Sequence, residues 1–151
     1  MEGRRIYVAG KTGKEGAVKN LIARLSELGY IVTYDWTLYA IQKPFKDNPE
    51  AALAAERMAR GVMEADIVIV LCQKEGGVGY HIETGGALIA SLVMSFMQGE
   101  QNRRIYLVGD GNERSIFYFH PLVIRVNSVE DLLAMGRDLR LPPGSLVDKN
   151  M

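Results

Sequence analysis

The run Asp66-Ile-Val-Ile-Val-Leu-Cys72, followed by Gly76-Gly-Val-Gly-Tyr-His-Ile-Glu-Thr-Gly-Gly-Ala87, decides how this chain reads. The first segment is continuously apolar, as a parallel strand buried on both faces must be. The second is a glycine turn that opens an apolar helix running to about Met97. Such a turn is where open α/β sheets bind ligands, because free backbone N–H groups and the helix dipole point there. One carboxylate, Glu83, falls in the first turn of that helix. Any helix favours a glutamate there, by a few tenths to about 1 kcal/mol. The sharper reading makes Glu83 a nucleophile kept ionised by the same field.

Working outward, Arg5-Ile-Tyr-Val-Ala9 is a first strand, followed by the loop Gly10-Lys-Thr-Gly-Lys-Glu-Gly16. Val18, Leu21, Ile22, Leu25 and Leu28 then recur at helical spacing up to a C-terminal Gly29. Tyr30-Ile-Val-Thr-Tyr34 is strand two, ended by Asp35-Trp36-Thr37. Leu38 to Asn48 is a long loop and a candidate substrate lid. A second helix runs from about Pro49 to Glu64. After the central strand and helix come strand four, Arg104-Ile-Tyr-Leu-Val108, and its turn Gly109-Asp-Gly-Asn112. The aromatic segment Ser115-Ile-Phe-Tyr-Phe-His-Pro121 precedes strand five, Leu122-Val-Ile-Arg125. Ser128 caps a last helix from Val129 to about Arg140.

Strands alternating with helices at this spacing predict an α/β fold: one doubly wound, five-stranded parallel sheet in flavodoxin-like, Rossmann-like order 2-1-3-4-5. Residues 1–141 form the domain and 142–151 a tail. The C-terminal ends of strands one to four then share a rim. It gathers Tyr7 to Lys11, Tyr34 to Thr37, Gly76 to Glu83, and Gly109 onward. Asp66 begins its strand and belongs to the opposite rim. The long helix carries two apolar stripes, Ile82, Gly86, Ile89, Val93 and Phe96 beside Ala87, Ala90, Met94 and Met97. It needs cover on more than one side, which predicts a homodimer or larger homo-oligomer.

The totals bound the function. Eighteen Lys and Arg against eighteen Asp and Glu leave no net charge, hence no footprint for a nucleic acid polymer. Cys72 is the only cysteine, so no disulfide framework exists, and inside a strand it reads as a small apolar residue. No signal-peptide core precedes the first strand. The uncharged stretch Thr84 to Gln98 is shorter than the ~20 residues a membrane span needs. A soluble, cytoplasmic protein is expected.

Several motifs invite chemistry. Gly10-Lys11-Thr12 is not a P-loop, because strand one fills the space where the earlier glycine belongs. Lys11 and Lys14 are candidates to meet a phosphate, against the plainer reading of solvated loop lysines. Trp36 either stacks on a nucleobase or plugs the edge of the core. His81 and His120 stand too far apart to hold a metal, and no cofactor is expected. His81 either meets a substrate or bonds the turn backbone, and His120 reads as structural before catalytic. Gly10, Lys11, Trp36, Gly77, Gly79, His81 and His120 form the candidate substrate-binding set.

Taken together, Ile6-Tyr7-Val8-Ala9-Gly10, Tyr34-Asp35-Trp36-Thr37, Ala65-Asp66, Gly79-Tyr-His-Ile-Glu83-Thr-Gly85-Gly-Ala87 and Phe117-Tyr-Phe-His-Pro121 resemble the nucleoside 2-deoxyribosyltransferase-like family, which includes the deoxynucleoside 5′-monophosphate N-hydrolases. The resemblance spans strand one to the aromatic segment. It implies cleavage of the N-glycosidic bond of a nucleoside or nucleotide, with Glu83 attacking the anomeric carbon and Tyr7 positioning it. It also implies oligomers in which a neighbouring subunit completes each site. The family's catalytic aspartate lies eight residues before the Ala-Asp aspartate, and Met58 stands there. Such an acid is worth roughly 10²–10⁴-fold. Asp35 is the preferred substitute, Glu56 the other. The glycine turn also resembles the signature of the lysine-decarboxylase-like phosphoribohydrolases, with Glu75 and Tyr80 departing from it. The alternative to an enzyme is a binding module that keeps the pocket without the reaction.

Overall fold

The computed structural model describes residues 4–39, 41–99, 104–136 and 139; the predicted tail 142–151 lies outside them. Five parallel strands form one sheet: β1 (Arg5–Ala9), β2 (Ile31–Val32), β3 (Ile67–Leu71), β4 (Arg104–Val108) and β5 (Val123–Val126). Their order is β2-β1-β3-β4-β5, as the alternation of strands and helices predicts. The three central strands have almost no exposed side chains, which is why they read as unbroken apolar runs.

Helices α1 (Glu15–Glu27), α2 (Ala51–Glu64) and α3 (Val78–Gln98) lie in the first three crossovers, the 3-10 helix Ile116–Phe119 lies between β4 and β5, and α4 (Val129–Ala134) follows β5. Arg24 of α1 bonds Glu130 of α4 at 2.8 Å, and α2 packs against α3. Ser128 caps α4 by accepting from the Asp131 N–H at 3.1 Å. Among the described residues no helix is long and apolar enough to cross a membrane.

Two boundaries near the rim differ from the sequence expectation, and α4 ends at Ala134, short of the expected Arg140, with Gly136 left-handed at φ 63°. Strand two is only Ile31–Val32, because the chain leaves the sheet early to form a short 3-10 helix at Trp36–Tyr39. Asp35 drives that exit: its Oδ1 accepts from the Thr37 N–H at 3.0 Å and from the Thr37 hydroxyl. The second difference is the start of α3. Gly76 and Gly77 hold φ of 74° and 83°, so the left-handed pair completes the turn and α3 starts at Val78. Glu83 is therefore the sixth residue of α3, in its second turn. The first turn holds no acidic residue.

Candidate active site

At the C-terminal rim of the sheet, Tyr7 and Glu83 meet. Tyr7 is the third residue of β1 and fully buried; its hydroxyl donates to Glu83 Oε1 at 2.6 Å. Tyr7 pairs with Val68 of β3 and lies under α2, and the partly buried Glu83 reaches its hydroxyl from α3, which packs against α2. Burial pushes the Glu83 carboxyl up from 4.5 to about 7, with the Tyr7 hydrogen bond pulling the other way. Burial and the charge of Glu83 drive the Tyr7 phenol upward, so it remains a donor.

That balance corrects the electrostatic expectation. The helix field was to keep Glu83 ionised, but the dipole falls off within the first turn and Glu83 lies beyond it. Desolvation dominates instead. The carboxyl is poised between its two forms at neutral pH, and Tyr7 favours the charged one.

The other predicted residues divide by place. Asp35 is partly buried at the same rim, where its Oδ1 caps the 3-10 helix. Trp36 is buried and donates from Nε1 to the Val8 carbonyl at 2.9 Å, so it plugs the core and offers no free face to a base. Gly10 lacks a side chain for packing reasons, since a Cβ there would fall 2.6 Å from Val18 Cγ2. Lys11 lies across Gly76, whose added Cβ would meet Lys11 Cε and Nζ at 2.8 and 2.9 Å. Its ammonium therefore sits beside the turn that opens α3. Gly77 is filled by the Tyr80 ring, while Gly79 faces open space. Met58 is partly buried against the core. Glu56 is exposed and paired with Arg60 at 2.7 Å.

His81 and His120 are not brought to the Tyr7–Glu83 pair. His120 precedes β5 and so lies at the N-terminal edge of the sheet, where its Nδ1 accepts from the Leu122 N–H at 3.1 Å. His81 points from another face of α3 and is hydrogen-bonded to the Tyr118 hydroxyl. Burial, then the charge of Arg114, holds His81 below its ordinary pKa. It lines a half-open groove of about 460 Å³ with Thr84, Leu88, Arg114, Phe117 and Tyr118. Tyr7, Asp35 and Glu83 do not line this groove.

Arg114 was missed by the sequence reading. Its Nη1 lies 3.0 Å from the carbonyls of both Gln73 and Gly76 and 3.3 Å from the Tyr80 hydroxyl. It thereby pins the glycine turn. Its place in the loop after β4 put it on the correct rim, but nothing in the sequence pairs it with the β3 loop.

A doubly wound parallel α/β domain with a tyrosine–glutamate pair at its C-terminal rim is thus the class that fold and site define. Among solved structures the chain is similar to the Clostridium botulinum CMP N-glycosidase BcmB, with a TM-score of 0.56 and 18% identity over 87% of this chain and 95% of that one. At that identity the likeness is one of fold. No protein-family model matches the chain, and no curated protein matches it.

Proposed function

We propose that the protein cleaves or transfers the N-glycosidic bond of a nucleoside, deoxynucleoside or its 5′-monophosphate, with Glu83 as nucleophile. The observation that carries this reading is the 2.6 Å bond from buried Tyr7 to a partly buried carboxylate at the rim where such sheets bind ligands. The fold it shares with a CMP N-glycosidase supports the substrate class.

In the reaction, one Glu83 oxygen attacks C1′ of the sugar while Tyr7 holds the other in place. The bond from C1′ to the base nitrogen breaks, and its electron pair leaves with the base. A glycosyl ester on Glu83 results, as in retaining glycoside chemistry. Water or a second base then displaces Glu83 from C1′. Asp35 is the candidate to protonate the departing base, since the thioether of Met58 has no proton to give. Lys11 beside the Gly76 turn is the candidate contact for a 5′-phosphate, together with the free N–H groups that open α3.

The exposed side chains of Val78, Ile82, Ile89, Val93, Phe96 and Met97 along α3 support assembly into a homo-oligomer. Incubation with nucleosides and nucleoside monophosphates, with and without an acceptor base, tests the function by chromatography of released base. Glu83→Ala is expected to abolish release, by roughly 10³-fold or more. Base release unchanged in that variant, or none from the wild type, overturns the reading.

A second reading, a nucleotide-binding module without turnover, is favoured by Met58 and by the capping role of Asp35. Calorimetry showing nucleotide affinity alongside no base release selects it.

A further inference from the structure

We propose that Gly61 is a positioning residue for the Tyr7–Glu83 pair: it lets α2 lie directly on the Tyr7 ring and so fixes the direction of the phenol. The inference takes that pair as the working centre and in that sense rests on the function proposed above.

Gly61 sits in the last part of α2 with ordinary helical backbone, so no unusual φ requires a glycine there. A glycine inside a helix costs about 0.8–1.0 kcal/mol against alanine. Space explains the choice. A Cβ at Gly61 would fall 2.8 Å from Tyr7 Cδ2, 2.9 Å from Tyr7 Cε2 and 2.9 Å from Tyr34 Cβ. Neither ring carbon is the far end of a flexible side chain, because Tyr7 is fully buried in the central sheet. The ring would have to swing, and its hydroxyl is the atom that bonds Glu83.

The same turn of α2 is fastened to the rim. The Thr33 hydroxyl lies 2.7 Å from the Gly61 carbonyl and 3.2 Å from that of Ile6, the residue before Tyr7. The missing side chain and this hydroxyl together set the height of the helix over the ring. Tyr7 on β1 and Tyr34 after β2 are the titratable groups that act on this centre besides Glu83 itself.

The experiment follows the Glu83 carboxyl by ¹³C NMR titration in wild type, Gly61→Ala, Tyr7→Phe and the double variant. Gly61→Ala is expected to raise its pKa by about 0.5–1 unit, in the same direction as Tyr7→Phe. The double variant should go no higher than Tyr7→Phe alone. A merely structural role would lower melting temperature and leave the titration at the wild-type value, and that result overturns the proposal. If Gly61→Ala does not fold, Thr33→Val decides by the same measurement: a raised pKa supports the proposal, an unchanged one overturns it. The titration needs no turnover. An inactive protein whose Glu83 responds to Gly61→Ala loses the glycosidase reading while the positioning role stands.

Discussion

Glu83 carries two opposing influences, and their difference sets what it can do. Burial raises its pKa to about 7, while the Tyr7 hydroxyl supplies the contact that favours the anion. A nucleophile must be ionised, so the rate of base release is expected to climb through an acid limb near pH 7. Tyr7→Phe removes the favourable contact and leaves the burial. The limb should then move to higher pH by about one unit, costing about tenfold in kcat/KM on the acid side. A pH–rate profile of both proteins checks this. Stability follows with a defined sign. The folded-state pKa lies above the ordinary 4.5, so the protonated carboxyl is the form that folding favours. Stability relative to Glu83→Gln is therefore full below pH 4.5 and is lost as pH rises through about 7. The loss reaches roughly 3 kcal/mol on the alkaline side. Urea unfolding of both proteins at mildly acidic and mildly alkaline pH should show the gap.

At the scale of elements, the loops after β3 and β4 are held by backbone contact. A Cβ at Gly111 would fall 2.1 Å from the Gln73 carbonyl oxygen, a clash with main chain that no rotamer relieves. Gly111→Ala is expected to cost about 3 kcal/mol by overpacking. Gly16 in the first turn of α1 has nothing within 4 Å of such an atom, and Gly16→Ala should gain a few tenths of a kcal/mol. Thermal unfolding of the two variants tests the contrast. The strands and their order were legible because a sheet buried on both faces leaves unbroken apolar runs such as Ile67 to Leu71. The end of β2 was not, because Thr33 and Tyr34 look strand-like in sequence although the chain leaves the sheet at Val32, ahead of the turn that Asp35 caps. Glu83 could be singled out from its position after a glycine turn. Its ionisation could not, because desolvation depends on what covers the helix. Trp36 shows the same limit: its composition permits stacking or packing, and only the bond to Val8 distinguishes them.

At the scale of the molecule, the outer face of α3 and the short 3-10 helix Ile116–Phe119 are the conspicuous surfaces. Phe96 is 93% exposed, Ile116 83% and Phe117 67%, while the core beneath is closely packed. An apolar surface of this kind on a domain without net charge is costly to leave in water. Sedimentation of the wild type is expected to give a dimer or larger species, and Phe96→Asp should shift it to monomer at the same concentration. A monomeric wild type at tens of micromolar would remove the oligomer from the proposal.

Arg114 gives the outer surface a mechanical link to the rim. The residue precedes the 3-10 helix by two positions, yet its guanidinium reaches the carbonyls of Gln73 and Gly76. One nitrogen of one side chain, Arg114 Nη1, thus ties the segment leading into Ile116 and Phe117 to the mouth of α3. Arg114→Ala cuts that tie and leaves the threshold of the helix bearing Glu83 without this donor to its two carbonyls.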